Sequence, residues 1–528
     1  MIDFQLPSIT VPGFSGLNDQ EGIFGLKSTE LSVCNNVVCK GGAARRRFGY
    51  TRRIATAYAG TPKVCGLGGF RDINLTRRFM AVMGGKLLED SSGTWTERST
   101  GTPFDTTVPT TMASVGRNLV ICDQNTNVPL IWDGSASPTT LTPNITKANC
   151  VGEHRGFLFV GSPTVTGQLS ASGVSVREYS NVRHSVEPAQ PTNFGPGASA
   201  LNLTGQVLAF ISTGNGDGDV GLIFLDDAVW YAQYAPSASG PGGGAFTFNY
   251  NPLDPGTGIV GPKAACRVPG RKVFFWGQGE QGTGLYMITE KPIMAPRYIS
   301  RRIETFLSGM DKTQLSGVEL FSVPGHNGIL ANVPYGSSQT TNNYAIYYNW
   351  VDDTFAIFKG SSQKAFAFAS SVTVQDSDGT FQTYAGDYGG LVYKIGAGLR
   401  DDGQAIESEL WTAWLGGAGV EKSWLSLVLN MKLSVRKTVE VHSRMFAKRD
   451  EVLQSLTGGS AGDPIETSFA VGISAIAGQT TGRLVGEIYG DPAEFIQFGI
   501  FDSQDNVDFV LYGIQAFFER ASSWAVAS

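Results

Sequence analysis

The chain has 528 residues, of which 67 are glycine; 16% of the residues are charged and 11% are aromatic. Low charge combined with many aromatic residues excludes a disordered chain, and glycine without a three-residue period excludes collagen. The net charge of −6 argues against a general nucleic-acid coat, because binding to phosphates requires clustered cations. Glycine, threonine, valine and aromatic residues in this abundance predict an all-β protein with many short strands and turns.

Residues 1–60 are predicted to form an N-terminal extension. The segment begins with turn-rich extended sequence, and a short helix is expected near residues 28–33. It ends in an arginine-rich run that contains Arg45, Arg46, Arg47, Arg52 and Arg53. Guanidinium groups at this density indicate that the run binds another macromolecule. Our first interpretation is an interface with another protein, and our second is a contact with DNA. The alternative is a solvated strand pair whose charges are balanced by carboxylates elsewhere in the chain.

Residues 61–403 contain a recurrent two-part phrase. Its first part is Val, a turn that usually contains Gly, and a short apolar run, as found at 115–121, 151–160, 268–275 and 323–330. Its second part is a pair of apolar residues next to Trp or Tyr, as found at 129–132, 228–231, 284–287 and 390–393. Each pair of parts predicts adjacent antiparallel strands joined by a tight turn.

The spacing of the phrase indicates the fold. Neighbouring copies lie about 36 to 55 residues apart, which is the period of four-stranded propeller blades. We therefore predict a β-propeller over residues 61–403 with about seven blades, six to eight being compatible with the spacing. A β-sandwich explains strands and turns equally well, but it does not explain a repeated two-part phrase.

Residues 404–528 lack the recurrent phrase. Their alternating apolar and polar residues predict a separate C-terminal β-sandwich-like domain. Only residues 448–456 have a helical pattern there.

One glycine motif resembles a cofactor site. Gly277, Gly279 and Gly282 match the dinucleotide-binding fingerprint, but a strand rather than a helix is expected after them, so we predict a hairpin. The six cysteines are irregularly spaced, which predicts no zinc site and indicates a reducing folding compartment. No run of about 18 apolar residues is present, so no membrane span is expected.

A second motif resembles the start of a calcium loop, with Asn215, Asp217 and Asp219 at alternating positions. The positions that such a loop reserves for glycine and glutamate hold Val220 and Asp226 instead. A turn between strands is therefore the favoured interpretation, and a looser metal site at these residues is the alternative.

Carboxylate pairs at 226–227, 352–353 and 401–402 fall at predicted hairpin turns. Two carboxylates that converge on one groove can hydrolyse glycans, but the sequence does not indicate that these pairs converge. The chain has four histidines, and two of them, His154 and His326, occupy turns of the recurrent phrase. We therefore predict a protein without catalytic residues and without a cofactor.

The segment at residues 31–50, LSVCNNVVCKGGAARRRFGY, is similar to a known signature. It resembles the N-terminal signature of the tail nozzle or tail hub proteins of short-tailed bacteriophages (podoviruses), also called packaged-DNA stabilisation proteins. In that family a short helix and an Asn-containing turn precede a Gly-x-Ala/Leu-x-x-Arg-x-Gly-Tyr segment. The earlier Gly16-Leu17-Asn18 also resembles the opening of those proteins. The triple arginine is richer than the family pattern.

The resemblance implies a propeller after the signature and a protein that has no substrate. Copies would form a homo-oligomeric ring, typically a hexamer, below the portal-bound adaptor, in contact with other tail proteins or fibres. The ring would enclose a channel that retains the packaged double-stranded DNA and lets it pass during ejection. The protein would be made in the host cytoplasm and reside in the virion tail. A mildly acidic channel wall repels phosphate and so lets DNA slide.

Two other classes of protein remain open. The first is a receptor- or glycan-binding adhesin, in which residues 404–528 bear the binding surface. The second is a glycan-degrading propeller enzyme, which requires converging carboxylates and exposed aromatic residues in one pocket.

Overall fold

In the computed structural model the described chain runs from residue 6 to residue 520. It leaves out residues 21, 23–24, 73, 125, 136, 142–144, 162–163, 166–180, 185–199, 203–204, 215, 217, 237–245, 270–271, 290–292, 361–365, 377, 418, 434–436, 446–450, 459–480, 489–491 and 504–507. The regular structure of this chain is mostly β-strand, which confirms the all-β class. No described helix has the length and apolar character needed to cross a bilayer.

Five strands precede the repeat region. They are β1 (Ser8–Val11), β2 (Leu31–Asn35), β3 (Val37–Lys40), β4 (Ala43–Arg46) and β5 (Tyr50–Arg52). The helix expected near residues 28–33 is wrong, because β2 begins at Leu31. Serine, valine, cysteine and asparagine are poor helix formers, and distant strands supply hydrogen-bond partners to this segment.

Antiparallel sheets then follow one another along the chain. The first contains β6 (Val64–Arg71), β7 (Arg77–Met83), β8 (Lys86–Asp90) and β9 (Trp95–Glu97). The second contains β10 (Thr110–Val115), β11 (Asn118–Asp123), β12 (Leu130–Trp132) and β13 (Thr139–Thr140). The next strands are β14 (Ile145–Lys147), β15 (Cys150–His154), β16 (Phe157–Gly161), β17 (Thr164–Val165), β18 (Asn181–His184) and β19 (Ala200–Asn202). Of these, β15, β16, β18 and β19 form the third sheet, while β14 pairs with β17.

The fourth and fifth sheets lie between residues 207 and 298. The fourth contains β20 (Val207–Ser212), β21 (Val220–Leu225), β22 (Val229–Pro236) and β23 (Phe246–Asp254). The fifth contains β24 (Gly258–Ile259), β25 (Ala265–Val268), β26 (Lys272–Gly279), β27 (Gly282–Thr289) and β28 (Arg297–Tyr298). Helix α1 (Glu304–Ser308) and 3₁₀ turns at Ser300–Ile303 and Lys312–Gly317 follow; a third 3₁₀ turn is Pro324–His326.

The sixth sheet begins with β29 (Glu319–Val323), β30 (Gly328–Val333), β31 (Tyr344–Asn349) and β32 (Thr354–Lys359). The seventh contains β33 (Phe368–Gln375), β34 (Phe381–Asp387) and β35 (Val392–Ile395), with β36 (Arg400–Asp401) and β37 (Gln404–Ala405) at its edge. Strand β5 from the N-terminal segment pairs antiparallel with β35 and thereby completes this sheet.

The innermost strands of these sheets form a closed ring. Strand β6 packs on β10, β10 on β15, β15 on β20, β20 on β25, β25 on β29, β29 on β33, and β33 again on β6. Sheets arranged radially around such a ring are a β-propeller, which confirms the predicted propeller fold.

The recurrent phrase marks fixed places in these sheets. Its first part forms the turn between the innermost strand and the next one, as between β10 and β11 and between β15 and β16. Its second part lies in the third strand, as in β12, β22, β27 and β35. These two turns require a left-handed backbone, with φ of 61° at Gly116 and 82° at Gly156, which explains the glycine at each of them.

The remaining strands follow residue 404. They are β38 (Ser408–Thr412), β39 (Leu415–Gly416), β40 (Lys422–Leu433), β41 (Lys437–Met445), β42 (Glu451–Gly458), β43 (Thr481–Glu487), β44 (Phe495–Asp502) and β45 (Phe509–Arg520). The helix predicted at 448–456 is wrong where the chain is described: β42 pairs along its length with β41, and residues 446–450 lie outside the described chain. Regular pairing with a neighbouring strand outweighs local helix propensity.

The N-terminal strands link the propeller to the C-terminal strands. Strand β2 lies between β32 of the sixth sheet and β38, which continues into β44, β41 and β42. Strands β1 and β4 pair with β45, in a sheet that also contains β3, β40 and β43. One apolar cluster accordingly joins side chains of all three regions, including Cys34, Trp276, Tyr347 and Leu429. The three regions therefore share a continuous core.

Candidate functional site

Two of the five arginines predicted as a contact site, Arg46 and Arg47, lie in the interior. Arg47 is 1% exposed, and its guanidinium faces the buried Asp401 carboxylate in a two-point ion pair, with Nη1 2.7 Å from Oδ1. Its Nε donates to Asn36 Oδ1 at 2.7 Å, and Nη2 donates to the Lys359 carbonyl at 3.1 Å. A guanidinium with its donors satisfied in this way is a fold-stabilising group.

Neighbouring residues extend this contact toward the C-terminal strands. Arg46 is 3% exposed, donates to the Ile406 carbonyl and lies 3.9 Å from the Asp502 carboxylate. Asn36 has a left-handed backbone (φ 55°) and donates from Nδ2 to the Glu407 carbonyl at 2.7 Å. We call the group Asn36, Arg46, Arg47, Asp401 and Asp502 the arginine clasp. Because Arg46 and Arg47 are buried, they are not available to a partner in this conformation.

The other three arginines of the run remain candidates for a surface contact. Arg45 is half-buried on β4, and among the described residues it has no ion pair. Arg52 is exposed and hydrogen-bonds to Asp402, which raises the pKa of Arg52. Arg53 bonds to Asp90 at 2.7 Å, and its guanidinium lies over two aromatic rings, those of Phe79 and Tyr384.

The acidic pairs predicted at hairpin turns lie at such turns but do not share a pocket. Asp226 follows β21, Asp352 follows β31, and Asp401 ends β36, so the three pairs belong to different sheets. Asp352 accepts from the Asn349 amide at 2.9 Å. Some of their contacts are local turn hydrogen bonds, whereas Asp401 belongs to the arginine clasp, Asp402 pairs with Arg52, and Asp353 lies 3.8 Å from Arg302.

The structure gives the other motifs structural roles as far as it describes them. Residues 277–282 form the hairpin of β26 and β27, as predicted. Asn215 and Asp217 lie outside the described residues; Asp219 accepts from the backbone of Gly216 at 2.6 Å. In the part of the chain that is described, no three His, Cys, Asp or Glu side chains are grouped closely enough to hold a metal ion.

An axial cavity of about 220 Å³ lies at the centre of the propeller ring. Residues on or next to each of the innermost strands named above contribute to its wall. Its polar wall comprises Thr110, Thr111, Lys263, Glu319 and Ser371. No sequence motif indicated these residues, although a glutamate that opens the largely apolar innermost strand β29 was a usable signal.

The charged groups of the axial cavity are held in an apolar environment. Burial raises the pKa of Glu319 to about 7, against the opposing effect of the nearby Lys263 ammonium. Burial likewise lowers the pKa of Lys263. The Ser371 hydroxyl donates to Glu319 Oε1, and Lys263 Nζ donates to the Cys65 carbonyl. This cavity therefore contains the most strongly perturbed opposite charges of the propeller's centre.

A larger groove of about 770 Å³ opens between the first and seventh sheets. It is rich in arginine, but most of the cations are already engaged by neighbouring groups. These pairings are Arg53 with Asp90, Arg78 with Asp72 and Glu89, and Arg77 with the Gln375 carbonyl. The Arg53–Asp90 ion pair and the Arg77 hydrogen bond join the two sheets, and Arg78 is paired within the first sheet, so the groove is a weaker candidate for an anion site than its composition indicates.

The class defined by this architecture is a β-propeller with N-terminal strands that tie it to further β-strands. No family model matches the chain, and no curated protein matches it. The N-terminal domain of Nup159 is similar in structure at 9% identity and a TM-score of 0.39, over 69% of this chain and 98% of that one. Sqt1 from Saccharomyces cerevisiae has 9% identity and a TM-score of 0.33, over 69% and 99%.

An exo-β-1,3-galactanase from Phanerochaete chrysosporium also has 9% identity, with a TM-score of 0.25 over 81% of this chain and 98% of that one. At these TM-scores the similarities carry no argument about what this chain does.

Proposed function

We propose that this chain is a structural protein of a short bacteriophage tail, a nozzle or hub whose copies form a hexameric ring below the portal-bound adaptor. The ring encloses the DNA channel, retains the packaged genome and lets it pass during ejection. In this proposal the propeller has seven blades and the strands after residue 404 form a β-sandwich. Other tail proteins or fibres bind the ring, which is assembled in the host cytoplasm and carried in the virion.

The observation that supports this proposal is the place of the signature segment in the fold. Its residues Arg47, Gly49 and Tyr50 occupy the Arg-x-Gly-Tyr positions of the resemblance. Arg47 is the centre of the arginine clasp, Gly49 packs against the backbone of Arg400, and Tyr50 is 1% exposed. The segment that resembles the family thus closes the seventh sheet and ties the propeller to the C-terminal strands. This role explains in physical terms why an arginine, a glycine and a tyrosine occur at these three positions.

The axial cavity bears on where DNA would pass. The cavity at the ring centre has a volume of about 220 Å³ and is too small for a duplex, whose major groove alone is about 12 Å wide. DNA would therefore pass through a space enclosed by several copies and not along the propeller axis. The net charge of −6 suits a wall along which a polyanion slides.

The enzyme alternative has less support from the described residues. A glycan hydrolase requires a carboxylic acid with a raised pKa facing a second carboxylate across an open groove. In the open groove, hydrogen bonds from Thr380 lower the pKa of Asp378, and Asp90 is held by Arg53. Of the carboxyls with a raised pKa, Glu319 lies in a cavity that is too small for a glycan chain, and Asp19 accepts hydrogen bonds from the backbone of Thr305 and Phe306.

Electron microscopy of the purified full chain, alone and with a candidate adaptor, tests the proposal. We expect closed rings, and particles that lack the protein should release DNA that a nuclease can digest. Arg45→Glu and Arg52→Glu should weaken ring formation if the exposed arginines contact the neighbouring copy, whereas Glu280→Gln at an exposed turn should not. A protein that lies away from the tail axis in the particle would contradict the proposal.

A further inference from the structure

The axial cavity contains two opposite charges that do not meet. Glu319 is 3% exposed and Lys263 is partly buried, yet among the described residues no ion pair within 4.0 Å joins them. Taking a charge out of water costs several kcal/mol unless a close partner compensates it. The space between the two groups therefore favours an occupant that is polar at both ends.

A third group in the cavity is also incompletely bonded. Thr110 is 2% exposed, and its Oγ1 has no hydrogen-bond partner, although the residue lines the cavity. A buried hydroxyl without a partner costs about 1–3 kcal/mol. A ligand whose polar end reaches this hydroxyl would supply the missing partner.

The polar groups have a defined arrangement. Lys263 Nζ reaches the carbonyl of Cys65, and Thr110 packs on the adjacent Gly66, where an added Cβ would lie 2.8 Å from Thr110 Cβ. The ammonium and the unpartnered hydroxyl therefore lie on the side of β6. Glu319 is bonded instead to Ser371 on β33, so the carboxylate and the ammonium are held by different neighbours.

The rest of the wall is apolar, and the space is small. The apolar lining includes Leu67, Met112, Val151, Phe210 and Leu320. A volume of about 220 Å³ is below the range of about 300–1,000 Å³ that is usual for drug-sized ligands, and it equals about seven water molecules at ~30 Å³ each. The occupant is consequently a small molecule with an apolar body.

We propose that the axial cavity binds a small zwitterion of the α-amino acid class. Its ammonium group would bond to Glu319, its carboxylate to Lys263 and Thr110, and its apolar side chain would pack on Met112 and Phe210. Binding pairs both buried charges and the free hydroxyl at the same time, which ordered water achieves only in part. The proposal does not depend on the ring function.

Isothermal titration of the full chain near neutral pH with L-leucine as the probe tests this site. We expect one leucine per chain, with an affinity at least about tenfold higher than that of acetate or isobutylamine, each of which has only one of the two charged ends. Glu319→Gln and Lys263→Met should each weaken leucine binding about tenfold or more. Glu280→Gln, at the exposed turn between β26 and β27, is the matched control and should bind leucine normally.

Either single substitution leaves the other charged group in the cavity, so a double variant is required as well. Glu319→Gln combined with Lys263→Met removes both charges; circular dichroism should show a folded protein, and leucine should not bind. The proposal is overturned if leucine gives no heat up to about 10 mM, or if the double variant binds it as the unmodified chain does. A high-resolution map at saturating leucine that shows only water in the cavity overturns it equally. Ring formation is a separate measurement, which none of these results changes.

Discussion

The carboxylate of Asp401 lies against the guanidinium of Arg47, with Oδ1 2.7 Å from Nη1, although 354 residues separate them along the chain. Arg47 belongs to the N-terminal segment, and Asp401 lies at the edge of the seventh sheet. The rings of Phe358 and Phe366 lie about 5 Å from the guanidinium carbon and shield the pair from water. The contact therefore connects the two ends of the propeller in a dry environment.

Asp401→Asn should destabilise the protein strongly. The substitution preserves the side-chain shape but leaves the Arg47 charge buried without a counter-charge, which costs about 3–5 kcal/mol. Urea unfolding followed by tryptophan fluorescence measures the loss. The matched control is Asp402→Asn, which breaks the neighbouring pair with exposed Arg52 and should cost less than about 1 kcal/mol. Equal losses for the two variants would mean that the clasp does not stabilise the fold.

Gly49→Ala should also destabilise the protein. An added Cβ would overlap the backbone of Arg400, which cannot move aside as the end of a flexible side chain can. Such overpacking costs about 1–3 kcal/mol, and the strain falls where β5 enters the seventh sheet. Gly325→Ala is the control, because nothing lies within 4 Å of its added Cβ. Thermal unfolding of both variants checks the expectation, and a Gly49→Ala protein as stable as the control contradicts it.

Local features of this fold could be predicted from the sequence, and contacts distant along the chain could not. The turns at Gly116 and Gly156 were predicted because a hairpin places its signal within a few residues. The burial of Arg47 was missed because its partner, Asp401, is distant in sequence and belongs to an acidic pair that resembles a turn. The strand at Leu31–Asn35 was missed for the same reason, since its hydrogen-bond partners come from β32 and β38.

The same distinction applies to the axial cavity. Glu319 and Lys263 are ordinary charged residues until the ring of innermost strands brings them to one axis. Only the position of Glu319 at the start of an apolar strand was a local signal. Sites formed by ring closure are therefore found from the topology and not from motifs.

Acid should destabilise the protein through His154. This residue is fully buried, its Nδ1 lies 2.9 Å from Ser212 Oγ, and burial lowers its pKa from 6.5 to about 4. Between pH 6.5 and 4 the unfolded chain binds a proton that the folded chain does not bind, so stability falls as the pH is lowered through this range. The full effect is about 3 kcal/mol.

His154→Phe keeps an aromatic ring next to Phe159 and Phe248 but removes the titrating group. Compared with this variant, the unmodified protein should lose stability steadily between pH 6.5 and 4 in urea unfolding experiments. Parallel pH profiles for the two proteins would show that His154 does not control the acid response.

Glu319 should produce the opposite slope in an overlapping range. Burial raises its pKa from 4.5 to about 7, so between these values the folded chain retains a proton that the unfolded chain has lost. Stability relative to Glu319→Gln should therefore fall by about 3 kcal/mol as the pH rises from 4.5 to 7 and then stay level. The unmodified protein is compared with Glu319→Gln for the Glu319 effect and with His154→Phe for the His154 effect, which separates the two slopes. If the free energy of unfolding depends on pH in the same way for Glu319→Gln and Glu280→Gln, then Glu319 is ionised in the folded protein over this pH range and water reaches the cavity.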